Sequence, residues 1–136
     1  MNLHLSEQHI NSLSNLEQEE LFKSQIEKYN YLNQTIDGYK FSIVSTLPEL
    51  QKLAEKMKNA AFFYKNFIMR GEYLILTIDN RKEEDFTNFG LYIKDSQLIF
   101  DNVVKLRLKQ NLIAPYNTNQ AFQKFAQKNN IIINEQ

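Results

Sequence analysis

A chain of 136 residues, 43% of them hydrophobic and 12% aromatic, is long enough to bury one core without covalent staples. It has no cysteine, which excludes disulfides and thiolate zinc sites, and its only glycines, Gly38, Gly71 and Gly90, cannot build a phosphate loop or a dinucleotide fingerprint. The formal charge is zero but unevenly spread: residues 1–38 carry six acids and two bases, residues 39–136 ten acids and fourteen bases, so −4 faces +4.

These features predict a single domain over 1–136, with an acidic helical segment over 1–36 and an α+β body over 37–136. Met1 to Glu7 shows neither a basic start nor an apolar run, so no signal peptide is expected. No stretch approaches the length of a membrane span. The expectation is a soluble, cytoplasmic protein.

Leu3, Leu5, Ile10 and Leu13 are only loosely periodic. Ser14-Asn-Leu-Glu17 reads as a capping box, in which hydroxyl and carboxylate satisfy free helix-end amides reciprocally. It predicts a helix to about Asn33 with Phe22, Ile26 and Tyr29 on its apolar face. Asp37-Gly38 is the clearest turn signal in the chain, and residues 39–45 follow as a strand. Thr46-Leu-Pro-Glu49 is a second capping box, with Pro48 in the first turn, where a missing amide costs little.

Leu50, Leu53, Met57, Ala60, Tyr64 and Phe67 alternate steps of three and four and predict one helix over 48–70. Gly71 stops it, and residues 72–78 switch to a buried strand. Asn80 to Asp85 is a charged turn. Thr87, Phe89, Leu91 and Ile93 alternate as the next strand, and Lys94-Asp-Ser96 turns into another that starts at Gln97. There Leu98, Phe100, Val104, Leu106 and Leu108 share one parity, interrupted at Asn102, which predicts a bulge or break. A final helix over about 119–128 buries Phe122, Phe125 and Ala126, and residues 131–133 add a terminal strand. The fold class is α+β, an antiparallel β-meander with helices packed on one face, preceded by an N-terminal helical segment.

Catalytic chemistry finds little support. His4 and His9 are five apart, off the helical-pair spacing and without an obvious third ligand, so no metal or cofactor is expected. A metal nuclease would need clustered carboxylates on adjacent strands. Glu72, Asp79 and Asp101 are the candidates, but Lys94 has Tyr92 two positions before it, where an acid-x-Lys pair requires an acid. These acids read as turn and solvent-facing charges, and no catalytic residue is assigned.

Two surfaces invite a macromolecule. Lys105, Arg107 and Lys109 alternate with Val104, Leu106 and Leu108, and with Lys124 and Lys128 they give five bases and no acid over 103–128. Such a stripe can neutralise phosphates, or simply protect a strand edge. On the long helix, Phe62 and Met69 lie one heptad apart, off the main stripe, with Phe63 beside them. These three are the candidate partner-binding residues, with Phe63 expected to be more exposed than Phe62, which should pack against the first helix.

From Leu50 onward the order of features resembles the PcfJ-like family of mobile genetic elements. That family has a helix with Cys-Val and then Tyr, a Gly before a hydrophobic strand, and a later strand ending in a Gln-x-x-Gly-x-x-Asn-like run. Tyr64, Gly71, the 73–78 strand and Asn111 fall in the corresponding order; Ala60, Lys105 and Leu108 stand where the family has Cys, Gln and Gly. The resemblance covers about residues 40–130 and implies a mobile-element origin more than a mechanism. Together these readings favour a small non-enzymatic interaction protein that binds a protein or nucleoprotein, with inhibition of a host defence nucleoprotein, as by an anti-CRISPR protein, the role that setting implies. A nucleic-acid-binding module using 103–128 and a degenerate metal nuclease are the alternatives.

Overall fold

The computed structural model describes residues 6–57, 61–80, 85–101, 107–108 and 115–134. Among the described residues, five α-helices, α1 (Glu7–Asn11), α2 (Asn15–Glu27), α3 (Leu47–Met57), α4 (Lys65–Met69) and α5 (Tyr116–Lys128), accompany seven strands. The strands are β1 (Gln34–Ile36), β2 (Tyr39–Ile43), β3 (Tyr73–Asn80), β4 (Asp85–Lys94), β5 (Gln97–Asp101), β6 (Arg107–Leu108) and β7 (Ile132–Asn134). They form one sheet in the order β1-β2-β3-β4-β5-β7, with β6 also on β4; every pairing is antiparallel except that of β5 with β7. The architecture is α+β, a meander with helices and a helical N-terminal segment.

Local chemistry explains where elements begin and end. At α2 the capping box is complete: Glu17 N donates to Ser14 Oγ (3.1 Å) and Ser14 N to Glu17 Oε1 (3.2 Å). At α3, Glu49 N donates to Thr46 Oγ1 (3.2 Å), but the Glu49 carboxylate accepts from Ser45 N (3.1 Å), one residue before the box position. Asp37 and Gly38, both at positive φ, join β1 to β2 as a two-residue hairpin turn with Ile36 opposite Tyr39. Asp95 and Ser96 do the same between β4 and β5. Gly71, at φ +77, closes α4: its N–H donates to Ile68 O and that of Glu72 to Phe67 O, both at 2.9 Å, the paired bonds of a Schellman end.

Two sequence expectations need correction. The helix predicted over 48–70 is interrupted: α3 ends at Met57 and Ala61–Tyr64 is a 3₁₀ turn before α4. Ala61, Ile68 and Met69 are buried, while Tyr64 is half-buried and Phe67 exposed. The crowd of aromatics at 62–64, poorer helix formers than the residues of α3, sits at this break. The helix predicted to reach Asn33 stops at Glu27, and Gln34–Ile36 joins the sheet, so the division at residue 36 runs through a hairpin. The bulge or break predicted near Asn102 fits the register along β4, which shifts by four residues between Ile99 opposite Tyr92 and Arg107 opposite Asn88.

The sheet has two chemically different faces. Residues directly opposed in antiparallel register share a face. Phe41 is opposite Ile78, which is opposite Thr87, so Phe41, Thr87 and Phe89 lie on one side and Tyr73, opposite Tyr92, on the other. On the first side α5 delivers Phe125, stacked on Phe41 at 4.2 Å, and Phe122, edge-on to Phe89 at 5.0 Å and tilted against Phe100 at 4.6 Å. A reciprocal amide pair, Gln34 with Asn129 (2.8 and 3.1 Å), ties the end of α5 to β1. On the second side Tyr64 stacks on Tyr73 at 4.6 Å and the Lys56 ammonium sits 3.7 Å over Phe86. The N-terminal helices pack on α4, where Gln25 Nε2 donates to Met69 O (3.0 Å) and Asn66 Nδ2 to Glu7 Oε1 (3.2 Å). The acids of α2 (Glu17, Glu19, Glu20 and Glu27) all point to solvent.

Candidate interaction surface

The tyrosine side of the sheet carries a continuous apolar row set by strand register. Tyr73 of β3 is opposite Tyr92 of β4, Tyr92 opposite Ile99 of β5, and Ile99 level with Ile132 of β7. Three inter-strand steps make this row roughly 14 Å long. It is extended off the sheet by Tyr64, stacked on Tyr73, and by Phe67, tilted against Tyr64 at 6.0 Å. Tyr92 stands edge-on to Tyr73 at 4.9 Å. Phe63 precedes Tyr64 in the 3₁₀ turn.

Three members are open to solvent, Tyr92 at 46%, Phe67 at 43% and Ile132 at 42%, and Phe63 is 83% exposed. Tyr64, Tyr73 and Ile99 are half-buried. Scattered apolar side chains are ordinary on protein surfaces, whereas a contiguous patch marks a contact site. Covering Phe63 alone is worth about 1.5–3 kcal/mol by transfer from water.

Gly90 makes the row possible. A Cβ there would fall 1.6 Å from Tyr73 Oη, so the Tyr73 ring lies over a notch that only glycine leaves open. Burial first, and then the Tyr64 and Tyr92 phenols and the Asp101 carboxylate, push the Tyr73 phenol well above its ordinary range. Burial, with Tyr64 and Asp101, also raises Tyr92. Both are therefore neutral hydroxyls at pH 7, able to donate and accept hydrogen bonds and poorly suited to act as nucleophile or base.

The rim is polar. The Arg70 guanidinium lies 4.7 Å over Phe67 and pairs with Glu72 at 3.3 Å. Its Nε and the Asn66 Oδ1, one turn away on α4, are buried and have no hydrogen-bond partner among the described residues. Lys65 sits 5.0 Å from the centre of the Phe62 ring, and Lys94 is exposed at the end of β4.

Of the three residues assigned from sequence to partner binding, Phe63 is exposed and Phe62 half-buried. Met69 has to be withdrawn: it is fully buried, as is Ile68 beside it, on the side of α4 that faces the core. Sequence reasoning missed Tyr73, Tyr92, Ile99 and Ile132. Their signal was available in strand parity, since each alternates with core residues, but which strands are neighbours is not written in any one stretch.

The basic region is less concentrated than its sequence. Lys105 and Lys109 lie outside the described residues; Arg107 is in β6 opposite Asn88. Lys124 forms an ion pair with Asp37 of the β1–β2 turn, and Lys128 is exposed at the end of α5. The carboxylates weighed for a nuclease are spread out: Glu72 and Asp79 lie at opposite ends of β3, roughly 23 Å apart, and Asp101 is two strands away on β5. Among the described residues no three His, Cys, Asp or Glu converge to hold a metal ion, and no helix is long and apolar enough to cross a membrane. Comparison with protein-family models, with curated proteins and with solved structures found no match.

Proposed function

We propose that this chain is a non-enzymatic interaction protein that binds a protein partner through the tyrosine side of its sheet. The observation that carries the reading is the register-aligned row Tyr73–Tyr92–Ile99–Ile132, continued by Tyr64 and Phe67, with the exposed Phe63 next to Tyr64 in the chain. Tyr, Phe and Arg are the residues enriched at the cores of protein interfaces, and an aromatic row with a polar rim has that anatomy. The carboxylates Glu72 and Asp101 beside the row weigh against phosphate and in favour of protein. The setting we propose, drawn from the resemblance to the PcfJ-like family, is the cytoplasm of a cell carrying a mobile element. A small binder there would block a host defence nucleoprotein in the manner of an anti-CRISPR protein, which needs a surface and no active site.

The test is affinity capture from host cells followed by binding of the purified partner. Phe63→Ala with Tyr92→Ala should leave the melting curve nearly unchanged and weaken the partner by about 2 kcal/mol or more, as expected for truncated interface anchors. Tyr116→Ala, an exposed aromatic on α5, should bind as the unaltered chain does. Equal binding by the double variant overturns the reading. So does capture that nuclease treatment abolishes and that falls steeply with salt, the behaviour of nucleic-acid binding through 103–128.

A further inference from the structure

We propose that a second site, the cleft between α3 and the sheet, binds a small organic anion with an apolar body, such as an arylalkanoate. The cleft has a volume of about 230 Å³ and is walled by Ile43, Val44, Leu53 and Phe86. That is below the usual range for drug-sized ligands, so the occupant is small. Thr77, which also lines it, is four residues along β3 from Tyr73, roughly 13 Å, so the cleft stands apart from the aromatic row.

Charge selects the ligand class. Lys52 and Lys56, one helical turn apart on α3, both line the cleft, and like charges at that spacing repel. The acid that also lines it, Glu49, is already engaged: its carboxylate accepts from Ser45 N at 3.1 Å and lies 3.3 and 3.5 Å from the Ser45 hydroxyl, leaving two ammonium groups against one carboxylate. Lys56 rests its ammonium on the face of Phe86 at 3.7 Å, at the apolar wall itself. An anion entering with its apolar end first would meet both ammonium groups at the mouth and exchange the ring contact of Lys56 for a stronger charge-assisted hydrogen bond. A cation would add a third like charge there, and a neutral ligand would leave the lysines unpaired.

Titration of the full chain with 4-phenylbutyrate, followed residue by residue through amide NMR shifts, tests the site. Saturable shifts are expected at Ser42–Val44, Leu53, Thr77 and Phe86, with 4-phenylbutanol at least tenfold weaker. Lys52→Ala with Lys56→Ala, both at exposed positions, should weaken the anion at least tenfold while the amide spectrum stays folded. Ser42→Leu, which fills the cleft from the sheet side, should abolish binding. The proposal is overturned by the absence of saturable shifts at these amides, by equal affinity for acid and alcohol, or by unchanged affinity in the double lysine variant. Because those shifts lie away from Tyr73 and Tyr92, the outcome is independent of the partner-binding test.

Discussion

The two sides of this sheet use the same class of side chain for opposite ends. On one, Phe41, Phe89 and Phe100 meet Phe122 and Phe125 of α5 in a dry cluster, with Phe41 and Phe125 fully buried. On the other, Tyr64, Tyr73 and Tyr92 form a row that is half-buried or open. The difference lies in the phenol oxygen. A phenyl ring has no polar atom to satisfy and gains most when sealed, whereas a tyrosine such as Tyr92 can pack its ring on a neighbour and still stay 46% exposed, with a hydroxyl that tolerates water. The phenylalanine side is thus built for stability and the tyrosine side tolerates exposure, as a surface that waits for a partner must.

Three substitutions sharpen this contrast. Phe125→Ala should have the largest effect, a loss of about 3–5 kcal/mol from lost burial and a cavity, read as a drop in denaturation midpoint. A loss below about 1 kcal/mol would mean the stacked pair with Phe41 is not central to the core. Gly90→Ala should cost about 1–3 kcal/mol, because the new methyl must displace the Tyr73 ring. Near-UV circular dichroism should change with it. In a Tyr73→Val background the same change should cost much less, and additive losses would show that the two residues do not meet.

The smallest effect is confined to high pH. Free phenols ionise near pH 10, while Tyr73 in the fold holds its proton to higher pH. Between those values the folded chain binds more protons than the unfolded one, so stability falls as pH rises, and the contribution is fully present below about pH 10. Tyr73→Phe should remove about 1 kcal/mol of the stability lost between pH 8 and pH 11, measured by chemical denaturation at both. An unchanged pH slope would place the Tyr73 phenol in water rather than under Tyr64.

Much of the local structure was legible beforehand. The Ser14 capping box, the Asp37-Gly38 turn, the stop at Gly71 and the alternation of Thr87, Phe89, Leu91 and Ile93 all rest on interactions within a few residues. The second half of the predicted long helix failed for a non-local reason: Tyr64 stacks on Tyr73 of the neighbouring strand, and the chain turns as a 3₁₀ segment at 61–64. β1 was missed because Gln34-Thr-Ile36 has too little apolar pattern to announce a strand; its pairing with β2 across a two-residue turn makes it one. Phe63 was found from helix spacing, yet Met69, chosen on the same grounds, is in the core.

The sequence by itself determined the α+β class, the antiparallel meander, the caps and turns, and the burial of Phe122 and Phe125. Each follows from short-range periodicity or from a hydrogen bond between near neighbours, which any stretch of chain carries with it. Only the tertiary structure decided that Tyr73, Tyr92, Ile99 and Ile132 stand in one line, and that Lys52 and Lys56 open onto an apolar cleft. Strand parity fixes which side of its own strand a residue occupies. Register and neighbour order, set by the folding of distant segments against one another, decide which residues become adjacent on that side.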